Sequence, residues 1–181
     1  MEKELQNSVA LLARTPAALD ALLRDLPDAL IEATEGANTW SARIVVAHLI
    51  QGETEDWIPR AKLILQSGDS QSFSAFDRDG HISYSQGKTM SQLLDEFAQA
   101  RAMNLDELRA LGLTAEDLKR RGIHPALGPV TLSELVATWA AHDLTHLHQI
   151  SRILASQYRQ AVGPWARYLG VMQCTGHSAS S

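Results

Sequence analysis

The stretch AAHDLTHLHQI, residues 140–150, places three histidines within seven positions of a segment that otherwise reads as helix. Histidine supplies only 7 of 181 residues, so such crowding calls for a physical reason. Upstream, Thr131 and Glu134 form a capping box, in which each side chain satisfies a backbone N–H left open at a helix start. The helix they begin is expected to run from 131 to about 157. His142 and His146 are four residues apart and share one face. That face continues through Leu135 and Trp139 before them and Gln149, Ile150 and Ile153 after them, so it is the inward stripe. His148 lies two residues past His146, about 200° round the helix, and is expected to point outward.

Working outward, the chain offers three more long helical patterns. Residues 2–24 carry Val9, Leu12, Leu19, Leu22 and Leu23 at helical spacing, with Pro27 beyond the end. Residues 41–66, capped by Ser41 or Thr39, put Ile44, Val45, His48, Leu49 and Gly52 on one broad face. A third helix begins at Thr89 or Ser91 and ends near Ala110, with Leu93, Leu94, Phe97, Met103, Leu105 and Leu108 as its stripe. Residues 67–89 and 112–130 read as long connections, the first as a functional loop at a pocket mouth and the second with a helical turn near 114–120. GPWARYLGVM is a short terminal helix with Pro164 in its first turn, and GHSASS is a tail. No segment shows a convincing alternating strand pattern. The reading is all-α: an antiparallel four-helix bundle in one domain over residues 1–175, with a short extra C-terminal helix and a tail at 176–181.

Composition narrows the function. A net charge of −5 with scattered basic residues argues against nonspecific nucleic-acid binding, and the run Lys119–Arg121 reads as a solvated turn. Cys174 is the single cysteine, so no intrachain disulfide can form. The N-terminus has no apolar core of a signal peptide, and no apolar run reaches membrane-spanning length. A soluble cytoplasmic protein is expected.

Two inward imidazoles one turn apart can hold a metal, but open catalytic sites usually supply three protein ligands. His48, mid-helix on the inward stripe of 41–66, can complete the set if its helix neighbours that of 131–157. Pattern alone leaves two readings open: a facial set of His48, His142 and His146, or core histidines satisfied by hydrogen bonds. A zinc-protease motif does not fit, because Asp143 stands where H-E-x-x-H has Glu and the third histidine lies upstream. Asp143 is expected to cap or orient a neighbour. AFDRDGHISYSQ resembles a calcium loop, but its register puts Ala75 first and Gln86 twelfth, so it reads as a turn. His81 and His124 are assigned exposed or turn roles, and His177 lies in the tail. The four tryptophans read as packing, with Trp57 able to line a pocket. Glu53, Glu55 and Asp56 read as a solvated face. Glu55, seven residues after His48, is the one weak candidate for a base.

WSARIVVAHLIQGE at 40–53 and HPALGPVTLSELVATWAAHDLTHLHQI at 124–150 together resemble the DinB-like superfamily, the DinB and YfiT group of bacterial four-helix-bundle proteins. The resemblance runs nearly the full chain in order and spacing. It implies an up-down-down-up bundle and a three-histidine metal site at His48, His142 and His146, holding zinc, nickel or iron. It also implies a metal-dependent enzyme acting on small molecules, of thiol-dependent transferase, isomerase or hydrolase type, with a low-molecular-weight thiol as a possible cofactor and a homodimer as its assembly. A non-catalytic metal- or small-molecule-binding protein of stress response is the alternative.

Overall fold

The computed structural model describes residues 2–77 and 79–174. The first expected helix is two: α1 (Glu2–Leu12) and α2 (Thr15–Leu23). Pro16 sits in the first turn of α2 and has no N–H to give, so the hydrogen-bond ladder restarts there. A single turn, α3 (Asp28–Ile31), follows Pro27.

The expected helix over 41–66 is likewise split into α4 (Ala42–Glu55) and α5 (Trp57–Ser67). Pro59 cannot donate to the Glu55 carbonyl, and Asp56 between them sits at φ −111°, ψ −69°, well off ideal helical values. Backbone bonds from Asp56 to Gly52 (3.1 Å) and from Arg60 to Asp56 (3.0 Å) persist, so the two pieces remain one kinked rod. Ser41, rather than Thr39, caps α4 by accepting from the Ile44 N–H.

The connection at 67–89 is not wholly loop. It contains α6 (Gly80–Tyr84), inside the stretch read above as a turn. α7 (Met90–Ala110) opens on a capping box of Thr89 and Gln92, and α8 (Leu132–Ser156) on the expected box of Thr131 and Glu134. Met103 falls off the inward stripe of α7, at 64% exposed. Between α7 and α8 lies an antiparallel hairpin that the sequence reading missed, β1 (Arg121–His124) and β2 (Gly128–Thr131). Gly128 closes its turn at φ +75°, a conformation glycine adopts without penalty. His124 has the turn role expected of it: its Nδ1 accepts from the Ala126 and Leu127 N–H groups. The terminal segment is a 3-10 stretch, Gly163–Tyr168, and one short helix, α9 (Gly170–Gln173). The expected tail, with His177, lies outside the described residues. Among the described residues no helix is long and apolar enough to cross a membrane.

The core falls into two apolar clusters. One gathers Leu12, Trp57, Ile64, Leu105, Leu108, Leu132 and Trp139. The other gathers Leu19, Val45, Leu49, Leu93, Phe97, Ile150 and Ile153. The chain passes from the first cluster to the second along α1–α2 and along α8, and from the second to the first along α4–α5 and along α7. At each crossing a polar side chain is buried: Thr15, Glu53, Arg101 and Asp143.

Candidate metal centre

The three histidines on the inward stripes of α4 and α8 meet in this polar band. His48 Nε2 lies 3.1 Å from His142 Nε2, and His142 Nε2 lies 3.0 Å from His146 Nε2. Among the described residues they form the one histidine group whose ring nitrogens all lie within 4.8 Å of one another. Ligand nitrogens about 2.0–2.1 Å from a metal stand roughly 2.9–3.4 Å apart for bond angles between 90° and tetrahedral. The observed contacts fall in that interval.

Proton accounting favours the same interpretation. His146 Nδ1 lies 2.8 Å from Gln149 Oε1, and since an amide oxygen only accepts, Nδ1 carries the proton. His146 Nε2 therefore presents a lone pair inward. His142 Nε2 also faces His48 Nε2, and the Nδ1 atoms of His48 and His142 have no hydrogen-bond partner among the described residues, so contacts among the three rings alone satisfy them poorly. A single cation satisfies all three. The donor set, three neutral imidazoles and no carboxylate, suits a divalent transition ion.

Burial keeps the rings neutral. It pushes His48 down to about 3, with His146 and His81 adding to the effect, and His142 down to about 2, with His146 and His48 adding. His146 is also lowered by burial, against opposing contributions from Gln149 and Asp143. Aromatic walls enclose the group. Trp40 lies 5.0 Å from His48 and 6.2 Å from His146 between ring centroids. Phe76 meets His48 edge-on at 5.6 Å, and Trp57 meets His142 at 5.2 Å while stacking on Trp139.

Beside the histidines runs a buried ionic network. Arg101 Nη1 donates to Asp143 Oδ2 (2.6 Å) and to the Leu12 carbonyl (2.8 Å). Its Nη2 donates to Glu53 Oε1 (2.7 Å) and Asp143 Oδ1 (2.9 Å). Glu53 also accepts from Trp139 Nε1 and Asn104 Nδ2, both at 2.9 Å, and Asp143 accepts from Thr15 Oγ1 at 2.5 Å. Burial opposes the Arg101 charge, but the hydrogen bonds to Asp143 and Glu53 outweigh it and hold the guanidinium above its ordinary value.

A model of the DinB superfamily matches residues 11–150. The chain belongs to the DinB superfamily. No curated protein matches it. Among solved structures this DinB-superfamily chain resembles YfiT from Bacillus subtilis, described as a probable metal-dependent hydrolase with an unusual four-helix bundle topology. The TM-score is 0.71 at 22% identity, over 89% of this chain and 90% of YfiT, a likeness that shows the four-helix-bundle fold.

The remaining sequence expectations divide. His148 is exposed, as its helix phase requires. Glu55 is exposed too and accepts from Gln51 Nε2 at 3.0 Å. Glu53 and Asp56 are not a solvated face: they are 3% and 9% exposed. Asp56 pairs with Arg60 at 2.6 Å, yet burial still lifts its carboxyl to about 6. Asp143 does orient a neighbour, and that neighbour is Arg101. The largest correction is His81, which is fully buried against Trp40 and His48 rather than exposed in a loop. Arg101 was missed, although its position was legible: four residues after Phe97 and four before Leu105, it is a charge on an apolar stripe.

Proposed function

We propose that His48, His142 and His146 bind one divalent transition metal through Nε2, and that the protein is a metal-dependent hydrolase of small molecules. The observation that carries this reading is the convergence of three neutral ring nitrogens at 3.0 and 3.1 Å, on one buried and two half-buried histidines. The fold likeness to YfiT favours hydrolysis among the chemistries such a site supports. Three protein ligands would leave positions open, where a bound divalent ion would supply Lewis acidity to a water or a thiol. The chain's own groups do the rest. Gln149 fixes the His146 tautomer, Trp40, Trp57 and Phe76 keep bulk water away, and the Arg101 network holds α4 and α8 in register. Thiol-dependent transfer is the second chemistry to screen, since a thiol in the open position is activated in the same way. The up-down-down-up wiring belongs to this reading and is supported by the directions in which the four rods join the two core clusters.

The test is elemental analysis of untagged protein after exhaustive dialysis, beside the His48→Ala variant, followed by ester, amide and thiol-transfer panels. About one transition metal per chain in the parent, lost in the variant, is expected. No metal after reconstitution with zinc, nickel or iron refutes the site. Stoichiometric metal without turnover on any panel refutes the enzyme.

A further inference from the structure

The His81 ring is 0% exposed, and neither of its nitrogens has a hydrogen-bond partner among the described residues. Folding has stripped both of water, which is costly for an imidazole that carries a donor on one nitrogen and a lone pair on the other. Its surroundings indicate where a partner fits. The ring sits edge-on to Trp40 at 4.5 Å and to His48 at 5.1 Å between centroids, so it borders the three-histidine group. It nevertheless stands outside the set of nitrogens lying within 4.8 Å of one another.

That placement is fixed by specific contacts. Gln51 of α4 donates to the Asp77 carbonyl at 2.9 Å and so pins the segment leading into α6. Gly80 opens α6 close under two side-chain ends: a Cβ there would come within 2.9 Å of both Asp77 Oδ2 and Gln51 Nε2 and would displace them. The next residue, His81, is thereby delivered against α4. Upstream, the Phe73 N–H donates to the Ile123 carbonyl at 2.8 Å, tying the same segment to the hairpin.

We propose that His81 is a fourth imidazole of the site that contacts not the metal but the molecule in its open position, donating one N–H to an anionic or carbonyl oxygen, or to a small anion. This rests on the metal reading above. In the substrate complex it makes His81 a catalytic residue that binds the polarised group.

The experiment uses the full chain loaded with cobalt(II), whose visible absorption reports coordination, and azide as the probe anion. His81→Phe keeps a ring between Trp40 and His48 without a donor, and His81→Gln keeps a donor should the Phe variant fold poorly. The parent is expected to bind cobalt and azide. His81→Phe is expected to keep the cobalt spectrum and its affinity to within about tenfold, but to bind azide about 5- to 30-fold more weakly, the loss of one hydrogen bond to an anion. His81→Gln should fall between. Unchanged azide affinity in both variants overturns the proposal. So does a loss of cobalt affinity beyond about 100-fold with an altered spectrum, which would make His81 a ligand. A parent that takes up no cobalt overturns the metal reading, and the role of His81 with it.

Discussion

Replacing Arg101 with Met removes a cation and leaves its two carboxylate partners buried. The Arg101 side chain is 2% exposed, and those of Glu53 and Asp143 are 0% and 2%. The four hydrogen bonds lost include one to the Leu12 carbonyl at the end of α1. Glu53 keeps Trp139 and Asn104 as donors, whereas Asp143 keeps only Thr15 among the side-chain bonds given above. Removing one partner of a buried ion pair typically costs about 3–5 kcal/mol, because the remaining charge is stranded in a poorly solvating interior. For a domain with a typical stability of roughly 5–15 kcal/mol that is a large share.

The assay is urea denaturation of chelator-treated protein at pH 7.5. With a slope of about 2 kcal/mol per molar urea, the midpoint of R101M should fall by about 2 M. The control is the triple variant E53Q/R101M/D143N, in which no charge is stranded. It should be more stable than R101M alone, because the cost belongs to the unpaired charges and not to missing volume. A loss below about 1 kcal/mol in R101M would refute the reasoning, as would a triple variant less stable than the single one.

Further outcomes follow from the same geometry. His142→Ala should lose bound metal while its far-UV circular dichroism stays helical, and His148→Ala, exposed on α8, should keep a full equivalent; the reverse pattern would mean the helix phase is wrong. The metal-free protein should lose stability as pH falls. His48 and His142 titrate near 3 and 2 when folded, but near 6.5 when unfolded, so the unfolded chain binds more protons between those values. Together they remove about 3 kcal/mol between pH 6.5 and 5 and little above pH 7.5, while Asp56, lifted by burial to about 6, takes up its proton in the folded state over the same range and returns about 1 kcal/mol, for a net loss of about 2 kcal/mol; a urea midpoint that rises from pH 7.5 to 5 would show the rings are solvated. Gly122→Ala should cost about 1–3 kcal/mol by overpacking, since a Cβ there meets Ile64 Cγ1 at 2.7 Å and Phe73 Cε1 at 2.8 Å; an unchanged midpoint would contradict the close packing of β1 on α5.

How far the sequence could be read depended on whether a feature is periodic. The division of labour among His142, His146 and His148 follows from 100° per residue, and the capping box at Thr131 marks where that count begins. Pro16 and Pro59 were visible as interruptions, but the apolar spacing continued across both, so each pair of helices read as one. The hairpin has four residues per strand, with a glycine in each and a proline in one, too short for an alternating pattern. His81 had no periodic context at all. Its burial comes from the docking of α6 on α4 through Gln51 and Asp77, a tertiary event invisible in a polar stretch of sequence. Glu53 read as surface because its partner, Arg101, is 48 residues away on α7.

The polar band between the two apolar clusters explains why a helical bundle carries such expensive groups at all. A metal site assembled from two helices needs their relative register held more tightly than sliding apolar surfaces can hold it. Arg101 supplies that tie from a third helix, gripping α4 through Glu53 and α8 through Asp143, the residue after His142. The charges point the same way. Two carboxylates and one guanidinium leave the network one unit negative beside three neutral imidazoles, which supply no negative charge themselves. A bundle that only needed to be stable would do as well with apolar residues at Glu53, Arg101 and Asp143. The network is understandable as a buried anion that would complement the cation proposed at His48, His142 and His146.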